Sequence, residues 1–437
     1  MSESALALKL RTAVETRDKL GQLLKLPAPP SSADAQALDF TSNDYLSLAR
    51  SPELRRLFLE RVQTAPQIFG SGGSRLIINP QEHTALEARL AKFFNAPDAL
   101  VVSSGFDANV AFFSHIPQRG DIIIHDEFIH ASIYDGMRSS RAHLLVPFAH
   151  NNLTEFRRAL RETVEGNPGV AEGTTSVFLV VESVYSMDGS IAPLQLMSDT
   201  LEEELPKGNG HLVVDEAHAT GVYGPQGRGI VAMCGLEDKC LARLHTFGKA
   251  LSSTGAVLLS NPLIRKYLAG HGRAFMFTTA PNHTTILSVD CAIDVLESST
   301  GARLQAQLLD TSTYLTTMLR TRLADIPQHI ICLPTDLYRP ISNNVETLPV
   351  TTLPTAIISI LTQGAWELSA YLAKRGIIAK PVVFPAVPKD KSRVRLSVNA
   401  DKTREGADRL INAVIDWARE VEAVYMTSNS ADRYARL

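Results

Sequence analysis

The chain has 437 residues, 45% of them hydrophobic and 20% charged, with a formal net charge of −3. That length and composition predict roughly two or three globular domains, and the near-neutral charge excludes a general attraction to nucleic acid or an anionic membrane. No run reaches the ~18–20 apolar residues that span a bilayer, and four scattered cysteines (Cys234, Cys240, Cys291, Cys332) fit neither a disulfide framework nor C-x-x-C metal spacing.

In chain order, residues 5–25 carry Leu6, Leu10, Val14, Leu20 and Leu24 at helical intervals, which predicts an amphipathic arm. Pro27-Ala28-Pro29-Pro30 breaks it. Glu3, Glu15 and Asp18 and the lack of an apolar run do not fit a secretory or mitochondrial leader. From about residue 95, short runs apolar on both faces alternate with helical lengths: 99–103, 121–125, 176–182, 211–215, 244–248 and 256–260. Buried parallel strands of an α/β sheet read this way.

After Pro281 the pattern changes to a helical stretch over about 282–327, then a Pro-rich irregular segment at 334–354. Helix 361–375, strand 394–398 and a final helix over about 404–424 follow. The expected division is an N-terminal helical arm (1–45), a large α/β domain (46–285), a smaller α+β domain (286–425) and a flexible tail (426–437). The tail ends in Ala435-Arg436-Leu437, which has the small–basic–Leu form of a peroxisomal address; without its use the location is cytoplasmic.

Polar residues cluster where the strands end. Strand 211–215 runs into Asp215-Glu216-Ala217-His218, at the end of a parallel sheet where ligands bind. Strand 244–248 runs into Lys249, hemmed by Gly248 and Ala250 and so suited to desolvation and Schiff-base chemistry, with the Thr246 hydroxyl close behind. Ser103-Ser104-Gly105-Phe106 joins a strand to a helix whose first N–H groups can face a phosphate. His130 follows strand 121–125 and can stack on a planar ring, and Ser186 follows strand 176–182 with a hydroxyl to donate.

Singly these are ordinary features: a surface lysine, a helix start, a loop histidine. In order along consecutive strand ends they meet the needs of pyridoxal 5′-phosphate (PLP). Its aldehyde takes an amine, its pyridine nitrogen a carboxylate, and its phosphate N–H and hydroxyl donors. Asp215 and His218 have no third ligand at metal spacing, so no metal is expected.

The motifs Ser-Asn-Asp-Tyr-Leu (42–46), Gly-Ser-Gly-Gly-Ser-Arg (70–75), Ser-Gly-Phe-x-Ala-Asn (104–109), His-Ala-Ser (130–132) and Ser-Met-Asp-Gly (186–189) are present. So are Val-Asp-Glu-Ala-His-Ala-Thr-Gly-Val-Tyr-Gly-Pro-Gln-Gly-Arg-Gly (214–229) and Thr-Phe-Gly-Lys (246–249). Over about residues 38–420 the chain resembles the α-oxoamine synthases. The resemblance implies a fold-type I PLP-dependent transferase (aspartate aminotransferase-like), an α/β fold with a large mostly parallel-sheet domain plus a smaller α+β C-terminal domain. It also implies a homodimer with shared active sites.

The resemblance makes Lys249 the Schiff-base lysine and catalytic base, sets Asp215 on the pyridine nitrogen, and stacks His130 on the ring. It brings His218 and Ser186 to the phenolic oxygen, with His218 also acting as an acid. Gly105, Phe106 and Thr246 hold the phosphate, with Thr278 or Thr279 reaching it from the partner subunit. Arg395, helped by Asn43, clamps the amino-acid carboxylate. The implied reaction condenses alanine, or a similar small amino acid, with an acyl-CoA or acyl-carrier-protein thioester and loses carbon dioxide. The 214–229 and 246–249 motifs look most like the branch that uses a pimeloyl thioester in biotin biosynthesis.

Three departures bear on this. The loop between Ser74 and His83 is one residue shorter than the family's and lacks its Ser-Gly, which bears on acyl choice. Glu182-Ser183 replaces the family's Glu-Gly, and the N-terminal arginine of some members has only Arg17 or Lys25 as a stand-in. The alternative enzyme reading is a related synthase joining another amino acid to a long acyl or polyketide thioester. A non-catalytic subunit is the reading from another class, and the presence of Lys249 speaks against it.

Overall fold

The computed structural model describes residues 4–20, 22–23, 26, 37–334 and 353–434, without the side chains of 427–434. The proline break at 27–30, Lys25, most of the irregular segment and Ala435-Arg436-Leu437 lie outside the described residues.

A short strand β1 (Leu38–Asp39) precedes seven strands that make the main sheet. They are β2 (Asp98–Val102), β3 (Ile122–Asp126), β4 (Leu144–Phe148), β5 (Val177–Glu182), β6 (Gly210–Asp215), β7 (Cys240–Thr246) and β8 (Ala256–Ser260). Their order is β2-β8-β7-β6-β5-β3-β4. Alternate residues of each strand enter separate cores on the two faces: Ile122 and Ile124 of β3 pack on one side and Ile123 on the other, as period-2 geometry dictates. Helices cover both faces, and all six residues of β5 are buried.

Four further strands follow: β9 (Ile357–Leu361), β10 (Ile377–Ile378), β11 (Lys380–Val382) and β12 (Arg393–Ser397). β11, β12 and β9 form an antiparallel sheet in that order, and β1 pairs with β10 in parallel. The backbone after β1 is stitched to the end of β12 by Ser397 N–H to Phe40 O (2.7 Å) and Ala400 N–H to Tyr45 O (2.8 Å). The Asn43–Tyr45 loop is thereby held against the ends of the main sheet.

The fold differs from the sequence expectation in definite places. β8 runs antiparallel to both neighbours, because residues 247–255 are too few for the helical crossover that a parallel return needs. β4 and β9 were not expected; β4 is an edge strand with Leu144 exposed, and β9 occupies residues ahead of the expected helix, which is Ala365–Ala373. The stretch at 282–327 is two helices, His283–Glu297 and Ser299–Leu323, interrupted where Ser298 caps the second. The final helix spans Arg404–Tyr434, so the backbone expected as a flexible tail is helical up to Tyr434. Helix Ala5–Lys19 buries none of its leucines.

Candidate active site

Lys249 follows the end of β7, and His218 follows the end of β6, on the neighbouring strand. Lys249 Nζ lies 2.9 Å from His218 Nε2, and His218 Nδ1 lies 2.6 Å from the Tyr45 hydroxyl. Burial pulls the Lys249 pKa down to about 8; the charge of Asp215 opposes the fall, and Arg395 adds to it. Burial, and then the Lys249 charge, holds His218 well below its ordinary value, so its imidazole is neutral with one N–H to share. Burial pushes Tyr45 up to about 12, which keeps its hydroxyl protonated.

Asp215 ends β6 in a buried position. Its Oδ2 accepts from Asn109 Nδ2 (2.8 Å) and its Oδ1 from the Ala217 N–H (2.9 Å). Asn109 Nδ2 also reaches Ser132 Oγ (3.0 Å), which sits 2.7 Å from His130 Nδ1. Because the Ser132 N–H donates to that same Nδ1 (3.2 Å), His130 carries its proton on Nε2. His130 is the N-cap of helix Ala131–Arg138, which fixes the ring's direction.

Across the sheet, Glu182 lies opposite Asp215 in register. Burial, and then the neighbouring Asp215 charge, raises Glu182 well above the carboxylate range, so it is a neutral acid. Its Oε1 has no hydrogen-bond partner among the described residues.

Arg395 projects from β12 to the same end of the sheet. Its Nε donates to Ser186 O (2.6 Å), Nη1 to Ser397 Oγ (2.8 Å) and Nη2 to Asn43 Oδ1 (3.1 Å). Three of its five N–H groups are thus used, and one on each terminal nitrogen stays available for an incoming carboxylate.

Helix Gly105–His115 begins beside the Thr246 side chain. Ser104 Oγ caps the Asp107 N–H (3.0 Å), leaving the Gly105 and Phe106 N–H groups outside the cap. A Cβ on Gly105 would stand 3.5 Å from Thr246 Oγ1, so the missing side chain opens a cradle between the helix N-terminus and that hydroxyl.

The structure brings Lys249, His218, Asp215, His130, Arg395 and Asn43 into one cleft, with Gly105, Phe106 and Thr246 at its side. Ser186 is there too, but it meets Arg395 through its carbonyl. Thr278 and Thr279 stand apart: they follow helix Arg273–Met276 on a loop tied to the glycine-rich turn by Ala280 N–H to Gly73 O (3.0 Å). Tyr45, Asn109, Ser132 and Glu182 belong to the site although sequence reasoning gave them no role. Tyr45 and Asn109 stand in the quoted motifs, but contacts spanning 173 and 106 residues have no signal in spacing.

Residues 35–414 match the family described as aminotransferase class I and II. The chain belongs to that family. It is 38% identical over 416 residues to the 8-amino-7-oxononanoate synthase of Emericella nidulans, covering 94% of this chain and 96% of that one. It is also 38% identical over 392 residues to aminoacyl transferase sphA of Aspergillus fumigatus, covering 88% and 82%. The fold matches Sphingomonas wittichii serine palmitoyltransferase with a TM-score of 0.77 at 24% identity, over 97% of this chain and 100% of that one. Within the family these relatives put the chain among the α-oxoamine synthases, which are PLP-dependent acyltransferases.

The residues present fit PLP. Lys249 supplies an amine with a lowered proton affinity, and Asp215 is a carboxylate fixed by two donors. The cradle at Gly105 offers two N–H groups and a hydroxyl to a phosphate. Asp215 stands where a carboxylate would face a pyridine nitrogen, as an electron-sink cofactor requires. Among the described residues no group of three His, Cys, Asp or Glu side chains is placed to hold a metal, and no helix is long and apolar enough to cross a membrane.

Proposed function

We propose that the chain is an 8-amino-7-oxononanoate synthase, condensing alanine with a pimeloyl thioester in biotin biosynthesis. The observation that carries the reading is the line Tyr45–His218–Lys249 beside Asp215, with Arg395 facing the same cleft. The identity to the Emericella nidulans enzyme over nearly the full length of both chains supports the choice of substrates.

PLP, when bound, supplies the electron sink that stabilises negative charge at an amino-acid Cα. Arg395 and Asn43 bind the alanine carboxylate and so orient the Cα substituents. Lys249 Nζ, a free amine once its proton is gone, takes the Cα proton. His130 would cover one face of the bound ring and exclude water from it. A carbon–carbon bond then forms between Cα and the thioester carbonyl, the carbon–sulfur bond breaks, and the thiol leaves. His218, steadied by Tyr45 at Nδ1, holds a proton at Nε2 for the new carbonyl oxygen. The bond from Cα to the carboxylate breaks, carbon dioxide departs, and Lys249 returns a proton to Cα.

The partner-subunit roles assigned to Thr278 and Thr279 require a homodimer. Phe69, Leu76, Ile77, Ile78 and Phe277 stand exposed around the Gly70–Arg75 turn and the Thr278–Thr279 loop. An apolar rim of this kind suits a second copy of the chain.

The test offers alanine, glycine and serine in turn with pimeloyl-CoA and palmitoyl-CoA, and follows thiol release. Alanine with pimeloyl-CoA should be the fastest pair. The second reading is a synthase using another amino acid and a long-chain thioester, favoured by the equal identity to the Aspergillus fumigatus transferase. Turnover of serine with palmitoyl-CoA, and none of alanine with pimeloyl-CoA, would establish it.

A further inference from the structure

The cleft opens into a cavity of about 580 Å³ between the two domains, with His130 and Ser186 among its lining residues. Its walls are mostly apolar, built from Phe128, Tyr134, Tyr185, Met187, Phe384 and Val387. Two acids, Glu127 and Asp188, and one guanidinium break that pattern. Arg393 lines the cavity while only 4% exposed, and among the described residues no carboxylate forms an ion pair with it.

The Arg393 side chain spends two donors on neutral carbonyls, Nε on Lys391 O (3.0 Å) and Nη1 on Met187 O (3.3 Å). Three of its five N–H groups remain. The cavity's acids are otherwise engaged. Asp188 Oδ1 accepts from Ser190 Oγ (2.7 Å) and its Oδ2 lies 3.8 Å from His150 Nε2, while Glu127 Oε1 accepts from the His150 N–H (3.0 Å). Burial lowers the Arg393 pKa and the nearby Asp188 charge, which lies beyond ion-pair distance, only partly opposes that fall, so an incoming anion offsets the remaining cost.

Its position says which anion. Arg393 and Arg395 are two residues apart on β12, so both point to the same face, roughly 7 Å apart along the strand. They bind the carbonyls of consecutive residues, Met187 and Ser186. Arg395 therefore marks the reacting end and Arg393 a point farther into the apolar cavity. An acyl chain entering from the reacting end would run along apolar walls and bring its far end to a guanidinium.

We propose that Arg393 receives a terminal carboxylate on the acyl chain, so that the cavity selects mono-thioesters of dicarboxylic acids. The proposal rests on the pimeloyl reading and assigns its chain-end specificity to one residue.

The test compares pimeloyl-CoA with heptanoyl-CoA, the same chain lacking the carboxylate, at saturating alanine. For the unaltered enzyme kcat/KM should favour pimeloyl-CoA by roughly 10–100-fold, the range for a hydrogen-bonded charge pair. In Arg393→Met the ratio should collapse to near unity, and in Arg393→Lys it should be partly restored. The KM for alanine and the visible band of lysine-bound cofactor report whether each variant is intact. An equal loss on both thioesters would make Arg393 a mere clamp on Met187 and overturn the proposal, leaving the pimeloyl reading standing. Absence of a preference in the unaltered enzyme would also overturn it. Turnover of neither thioester by a protein with a normal cofactor band would overturn the pimeloyl reading and this proposal together.

Discussion

Lys249 can act because its surroundings withhold water more than they supply counter-charge. Burial outweighs the attraction of Asp215, and the net result is a pKa of about 8. Because the folded-state pKa lies below the ordinary 10.5, the free amine becomes available as pH rises through the lower value. The rate at which cofactor-free protein captures PLP should therefore climb with pH, with its midpoint near 8 and a plateau above. A rate still rising steeply at pH 10 would contradict the desolvated amine. Lys249→Ala should lose the visible band of lysine-bound cofactor and at least about 10³ of turnover. A variant keeping a tenth of the activity would remove the lysine from the mechanism.

The line from Lys249 extends through His218 to Tyr45, whose hydroxyl fixes the imidazole. One such hydrogen bond contributes about 1 kcal/mol, so Tyr45→Phe should lower kcat about five-fold and leave cofactor binding intact. An unchanged kcat would show that His218 is oriented by something else. At this scale the sequence was legible wherever a residue adjoins a strand end, as with Asp215, His218 and Lys249. Tyr45 and Asn109 reach the site through contacts made only by folding, and Glu182 acts by being neutral, which no spacing reveals.

The elements place these residues by simple means. A strand that ends at Asp215, a neighbour ending three residues before Lys249, and a helix starting at Gly105 leave one cleft at one end of the sheet's strands. Gly105 is the most direct test of that arrangement. An alanine Cβ there makes only ordinary contact with Thr246 at 3.5 Å, so Gly105→Ala should fold with stability within about 1 kcal/mol of the original. It should nonetheless raise the PLP dissociation constant at least about 10-fold by filling the phosphate cradle. Unchanged affinity would move the phosphate elsewhere. Strands buried on both faces were legible as apolar runs; β4 and β9 were not, one being a half-exposed edge and the other lying against a helical pattern. The reversal of β8 was in principle readable from the shortness of the 247–255 connection.

At the scale of the whole molecule, the proposed homodimer would seat a second copy on the apolar rim around the glycine-rich turn. Ile77 is 79% exposed, so Ile77→Asp costs the single chain little, yet places a charge in the expected contact. It should shift the protein toward monomer in sedimentation and lower turnover in parallel; an unaltered dimer would put the interface on another surface. The overall plan was legible because the motifs run in order along the chain. The way the Asn43–Tyr45 loop is pinned beside the end of β12 was not, since it depends on backbone bonds to Phe40 and Tyr45 from residues more than 350 positions away. The central claim, a decarboxylative condensation of alanine with a pimeloyl thioester, is tested most directly by the fate of alanine's carboxyl carbon. With carboxyl-labelled alanine and pimeloyl-CoA, the label should leave as carbon dioxide, one for each thiol released, with 8-amino-7-oxononanoate as product. Thiol release with the label retained in the product, or no thiol release at all from PLP-loaded protein, would contradict the account.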